Sequence, residues 1–274
     1  MNSVLDRNND YIKRISKLSL FDDDFMIVAL KSKECVECIL RIILQDETLK
    51  IKELHNQYSL KNLHGKSLEV DILAVNEDDE YMNIEVQRDN AGGDIKRARY
   101  HSSLIDGEIE IKKKEWKKLP KSYVIFITEK DIFQEGLPIY HIGRVIKENQ
   151  KEVGDGQEII YVNGEYEGED EIGRLMHDFR CKEAKEMYNE VLAKRVERIK
   201  TKKEGEREMG KILDEIKNEG IMEGEQRGLL IGREETKILS IQSIMENLNL
   251  TVQQAMEVLN IPPNEQEHYI KILS

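Results

Sequence analysis

The sequence predicts an α/β core, a mixed central sheet flanked by helices, followed by a charged helical extension. Apolar residues at helical spacing over 32–44 give way to period-2 alternation over 68–88, and a short apolar run follows at 123–128. From Lys182 onward the pattern is charged helix without strand signals. The expected order is α-β-β-α-β with more strands appended, giving a core over residues 1–181 and a second unit over 182–274. A length of 274 residues suits that two-part plan.

The first helix is expected from about Ser32 to Leu44, with Val36, Ile39, Leu40, Ile43 and Leu44 on one stripe. Asp22 to Asp24, just upstream, read as a helix N-cap or a solvated turn, because a calcium loop would need ligand positions that are missing. Leu68, Val70, Ile72 and Ala74 alternate with polar residues, Tyr81 to Arg88 alternate again, and the acidic run Glu77 to Glu80 is the turn of a hairpin. Gly92-Gly93 opens a second helix through about Ile105. Tyr123 to Thr128 is a buried strand, and Glu158 to Val162, closed by Asn163-Gly164, is another. In the tail, Met209, Ile212, Leu213 and Ile216 keep helical spacing, and Glu190 with Lys194 forms an i,i+4 pair. Gly220, Gly224, Gly228 and Gly232 recur every fourth residue, which suits either close packing in a helical dimer or a frayed linker. Thr251 with Gln254, and Asn264 with Glu267, have capping-box spacing on either side of Pro262-Pro263, so two short helices end the sequence.

Composition excludes several classes. No run approaches the roughly 18 apolar residues of a membrane span, and Met1 to Asp10 lack a signal-peptide layout, so a cytoplasmic protein is expected. Three cysteines make neither a disulfide framework nor a four-thiolate zinc site, and Cys35-x-x-Cys38 falls inside a helix, where packing is the simpler reading. The net charge of -12 argues against nucleic acid as a partner until it is divided by region. Between Val86 and Lys121, ten cations face six acids, a local balance of +4. Asp155 to Glu171, by contrast, hold seven acids and no Lys or Arg, and belong away from any DNA cleft.

The chemistry concentrates in 67–88. Period 2 puts Glu85 and Gln87 on one strand face, and if Asp71 on the partner strand faces the same way, two carboxylates meet. Such a pair repels in an apolar sheet unless a cation lies between, and Mg²⁺ suits it because it keeps several waters. One of those waters can attack a phosphorus centre. The alternative is a pair of outward acids on a half-solvated hairpin.

Helix, Asp71 in one strand, Glu85-x-Gln87 in the next, then a basic helix resemble the PD-(D/E)xK nuclease superfamily, and within it the recombination-promoting nuclease or putative transposase group. The likeness extends through 62–66, 96–104, 122–129, 137–142, 160–164 and 175–179. It implies a restriction-endonuclease-like core and a Mg²⁺-dependent DNA endonuclease, with Mn²⁺ as an alternative ion. It implies Asp71 and Glu85 as metal ligands and Gln87 as the residue that orients the attacking water, where the superfamily usually has Lys. A neutral amide exchanges hydrogen bonds but supplies no positive charge. The superfamily often adds an acid from the first helix, for which Glu37, beside the apolar stripe, is chosen over Glu34; an ion pair of Glu37 with Arg41 is the alternative. Arg88, Lys96, Arg97, Arg99 and Tyr100 are the expected DNA contacts, against a solvated helix face. His101 reads as structural or as a phosphate donor, and Trp116 as a stacking residue for a base.

The acidic end of the sequence has the wrong sign for a groove-reading helix-turn-helix, so an interaction or oligomerisation module is expected there, the latter a homo-oligomer through these helices. The rival functional readings are a decayed nuclease core that only binds DNA or protein, and an assembly protein whose tail is the working part.

Overall fold

The computed structural model describes residues 15–273 apart from 63–64, 89–92, 110–115, 202–208, 211–227 and 229–231. Two compact units divide the chain, Met1–Lys211 and Ile212–Ser274.

The first unit is α/β. Helices α1 (Asp23–Ala29) and α2 (Lys33–Leu44) precede three antiparallel strands, β1 (Ile51–Leu60), β2 (Leu68–Asn76) and β3 (Tyr81–Gln87). Helix α3 (Ile95–Glu108) then crosses to β4 (Ser122–Thr128), which runs parallel to β3. A short edge strand β5 (Ile139–Ile142) and a two-stranded ribbon, β6 (Val145–Ile146) with β7 (Lys151–Glu152), lead to β8 (Gln157–Asn163). Strand β8 is parallel to β4 and antiparallel to β5, so the main sheet has the mixed order β1-β2-β3-β4-β8-β5. Helices α4 (Glu171–Arg180) and α5 (Glu190–Thr201) complete the unit.

Caps explain where the helices start. Ser32 accepts from Cys35 N, Asp94 from Lys96 N and Arg97 N, and Asp170 from Gly173 N. Helix α3 begins at Ile95 behind Asp94; Gly92, expected to open it, lies outside the described residues. Its buried residues Ala98, His101, Ser102 and Ile105 recur at helical spacing. Ala98 and Ile105 join a core cluster with Leu73, Val124, Phe126 and Tyr161 from the sheet. The opposite sheet face, with Ile72, Ala74, Met82, Ile84, Val86, Ile125 and Ile127, is also buried, as the continuous apolar run at 123–128 requires. At the end of β8 the turn is tight: a Cβ on Gly164 would lie 2.4 Å from the Thr128 carbonyl oxygen and 2.9 Å from Glu129 Cα, so only glycine fits.

Strand β1 departs from the sequence expectation. Only its two ends are buried; between them half-buried and exposed positions alternate, but Asn56 interrupts the apolar series of Leu54 and Tyr58 and Gln57 has φ of 51°, so its sequence carries neither a regular apolar alternation nor an apolar run. Helix α5, expected in the tail, buries Leu192, Val196 and Ile199 and contacts α1 and α2. Arg195 donates to the carbonyls of Val28 and Ala29 at the end of α1. The first unit therefore runs to Lys211, past the boundary expected at 181.

In the second unit, residues 232–248 are helical and precede α6 (Val252–Val258) and α7 (Pro263–Leu273). Ile241, Ala255, Met256, Ile261 and Tyr269 form its core. Thr251 and Gln254 make the expected capping box. Helix α7 instead begins at Pro263, which places Asn264 inside it and not at its cap; proline suits a first helical position because the missing N–H would have no partner there. Ile212, Leu213, Ile216, Gly220 and Gly224 lie outside the described residues. No helix among the described residues is long and apolar enough to cross a membrane.

Candidate active site

The β2–β3 ladder ends at Ile72 opposite Ile84. One step further, the backbone groups that would continue it are taken by side chains: Asp71 N donates to Glu85 Oε1 at 3.2 Å, and Val86 N donates to Asp71 Oδ2 at 3.1 Å. The two carboxylates thus sit at the end of the paired segment, each accepting a backbone N–H from the facing strand. Strand alternation puts Asn83, Glu85 and Gln87 on the face covered by α3, and parallel register sets Glu85 beside Phe126 and Gln87 beside Thr128.

Helix α3 lays Arg97 and His101, four residues apart, over these groups. Arg97 Nη2 donates to Glu85 Oε2 at 3.3 Å, Nη1 to Gln87 Oε1 at 3.3 Å, and Nε to His101 Nε2 at 3.2 Å. Its guanidinium also lies 6.0 Å from the centre of the Phe126 ring. Because Arg97 only donates, His101 Nε2 is an acceptor, and the ring proton resides on Nδ1, 3.1 Å from Asn83 Oδ1. Asn83 Nδ2 then donates to Glu85 Oε1 at 2.9 Å and to the Ile72 carbonyl at 3.1 Å. A ring of oriented bonds runs from Arg97 through His101 and Asn83 to Glu85 and back to Arg97. His101, which the sequence shows only as a lone histidine, is wholly buried within this ring.

Electrostatics follow burial. Burial, opposed by the Val86 N–H, pushes the Asp71 carboxyl up to about 6, and the Asp23 charge adds to the rise. Glu85, fully buried, is raised first by burial and then by Asp71, against the pull of Asn83 and Arg97. The two titrate as a pair. Burial and the Arg97 charge hold His101 down to about 4, in agreement with its neutral tautomer.

The other expected site residues divide. Glu37 does not join the pair. Its Oε1 accepts from Ile51 N at 2.9 Å and its Oε2 lies 3.4 Å from Arg41 Nη2. Ile51 is paired with Asn76, five residues along β2 from Asp71, which is roughly 17 Å of strand. The acid whose charge reaches Asp71 from a preceding helix is Asp23 on α1, from the triplet read only as a cap or turn. Arg88, at the exit of β3, pairs with Asp22 at 2.5 Å and Glu129 at 3.5 Å. Lys96 and Arg99 are exposed. The Tyr100 hydroxyl donates to the Lys66 carbonyl and accepts from Asn62 Nδ2, so it latches the β1–β2 connection onto α3. Trp116 is 74% exposed on a short 3₁₀ turn with Lys117 and Lys118, whereas Lys112 to Lys114 lie outside the described residues.

A second cluster of metal-type donors, His177, Asp178 and Cys181, lies at the end of α4. Both Asp178 oxygens accept backbone N–H groups, of Tyr188 and Asn189, and burial raises the Cys181 thiol to about 11. It fastens the chain after α4 and is a poor ligand set.

Compared with known proteins, residues 30–219 match the family model described as PD-(D/E)XK nuclease family transposase. No curated protein and no solved structure matches the chain.

Proposed function

The chain belongs to the PD-(D/E)XK nuclease family transposases, and from that premise we propose that it is a divalent-metal-dependent DNA endonuclease. The observation that carries this reading is the meeting of Asp71 and Glu85 at the end of the β2–β3 ladder, two carboxylates whose proton affinity is raised because the surrounding cations do not offset their burial. That deficit is what a hard divalent cation would fill, and oxygen donors suit Mg²⁺ or Mn²⁺. Asp71 and Glu85 would hold the ion, with Asp23 adding negative charge from α1. Bound there, such an ion supplies an acidified water and an electrophile for a phosphate oxygen.

The chain's own residues do the rest. Asn83 and Arg97 fix the two Glu85 oxygens, so the carboxylate cannot rotate as substrate arrives. Gln87, two residues beyond Glu85, can orient a water through its amide. Lys96 and Arg99, exposed on α3, would draw the DNA backbone, with Mg²⁺ offsetting the acids of the site. The family's transposase description supports a role in recombination or mobile DNA. A second reading, a core that binds DNA without cutting it, is favoured by the neutral residue at 87. For the second unit, we propose assembly of a homo-oligomer.

A plasmid-nicking assay separates the first two readings. Wild type should nick in Mg²⁺ and not in EDTA, and Asp71→Ala should not nick; equal lack of product from both, with DNA binding intact, would leave only the binding module. Sedimentation of the full chain tests assembly, and a monomeric mass would end that idea.

A further inference from the structure

Position 87 leaves a gap in charge. Gln87 is neutral, yet hydrolysis of a phosphodiester builds negative charge on the phosphate oxygens, and a fixed cation beside the attacked phosphorus lowers that barrier. The first helix after β3 brings a cation to this place. Arg97 Nη1 and Nη2 reach Gln87 Oε1 and Glu85 Oε2, both at 3.3 Å, while its Nε is held by His101 and its plane lies over Phe126. Lys96 and Arg99 on the same helix are exposed, but Arg97 is aimed from its stem inward with 36% of its side chain exposed. A guanidinium held in this way is pre-oriented, and it remains charged at every accessible pH.

We propose that Arg97 is the cationic residue of this site, supplying from α3 the positive charge that Gln87 cannot supply from β3, with His101 and Asn83 as the residues that position it. The inference rests on the nuclease reading and deepens it. In the reaction, the bond from water oxygen to phosphorus forms as the bond to the leaving nucleotide oxygen breaks. The water proton passes to solvent, and the leaving oxygen takes a proton from solvent. Arg97 moves no proton; it contributes positive charge while its Nη1 and Nη2 stay on Gln87 and Glu85.

The test uses the full-length protein and four forms: wild type, Arg97→Gln, Arg97→Lys and the double variant Gln87→Lys/Arg97→Gln. Nicking of supercoiled plasmid gives kcat and KM in Mg²⁺, DNA affinity is measured in Ca²⁺, and Mg²⁺-induced change in melting temperature is measured without DNA. Arg97→Gln should lose about 10²-fold in kcat, the size expected for one preorganised donor. Its DNA affinity should stay within about threefold and its Mg²⁺ response should persist, because loss of one neutralising charge leaves the carboxylates. The double variant should regain at least tenfold, since it returns the charge to the strand. If Arg97→Gln does not fold, Arg97→Lys and the double variant carry the comparison: both should retain cleavage, and a folded but inactive double variant overturns the proposal. Unchanged kcat in Arg97→Gln, a loss confined to KM and DNA affinity, a lost Mg²⁺ response, or no rescue by the double variant would each overturn it too. A wild type that cuts nothing in Mg²⁺ or Mn²⁺ would instead remove the nuclease reading, and this inference with it.

Discussion

Replacing Asp71 by Asn should remove a pH dependence from the stability of the metal-free protein. The substitution keeps the shape and the acceptor that Val86 N uses, and deletes only the ionisation. Asp71 has its folded-state affinity for protons raised from 3.8 to about 6, so the native state holds a proton that the unfolded chain has released across that window. A raised carboxyl stabilises the fold at low pH, and the contribution is lost as pH rises through about 6. At about 1.4 kcal/mol per unit, the full loss is about 3 kcal/mol, roughly half of it between pH 5 and pH 8. Urea denaturation in EDTA at a series of pH values, wild type beside Asp71→Asn, reads this contribution together with its coupling to Glu85 against the common background of the other titrating groups. The variant should gain on wild type by about 1 to 2 kcal/mol from pH 5 to pH 8. Adding Mg²⁺ at pH 8 should then restore wild type and leave Asp71→Asn nearly unmoved. Parallel stability curves for the two proteins in EDTA would refute the argument that Asp71 is half-buried at the cost of its charge.

Three other substitutions probe the placement of residues around the site. Glu37→Gln should leave Mg²⁺-dependent nicking within about twofold while lowering stability by about 1 kcal/mol, as urea denaturation would register, because its carboxylate serves Ile51 and Arg41. Tyr100→Phe should raise amide exchange in the β1–β2 connection, measured by mass spectrometry, and change DNA affinity little, since its hydroxyl holds Lys66 and Asn62. Gly164→Ala should destabilise the first unit by about 1 to 3 kcal/mol in the same denaturation assay, because the added methyl meets the backbone of β4 and the residue after it.

The parts of the site that were legible are those where strand period decides the outcome. Asp71, Glu85 and Gln87 could be placed on a hairpin from alternation alone, and the apolar run at 123–128 announced the strand beside Glu85. What alternation does not carry is position along the sheet. Glu37 borders the apolar stripe of α2, as the helical wheel indicates, yet the wheel is silent about which end of β2 the helix approaches. Asp23 was hidden by the opposite problem, since three consecutive acids before a helix have a sufficient local explanation as a cap. Arg97 was read with Lys96 and Arg99 as one basic strip. The usable signal was its spacing: Arg97 lies four residues before His101 and one before the buried Ala98, which turns it toward the sheet while its charged neighbours face water. Strand β1 offered no comparable signal, because an edge strand with solvated faces needs few apolar residues.

The central claim is that Asp71 and Glu85 hold a divalent cation. Anomalous diffraction from crystals of the protein grown with Mn²⁺ addresses it most directly. The account predicts a peak about 2 Å from an oxygen of Asp71 and an oxygen of Glu85. A peak at His177, Asp178 and Cys181 with none between Asp71 and Glu85, or no peak at either place, would contradict it.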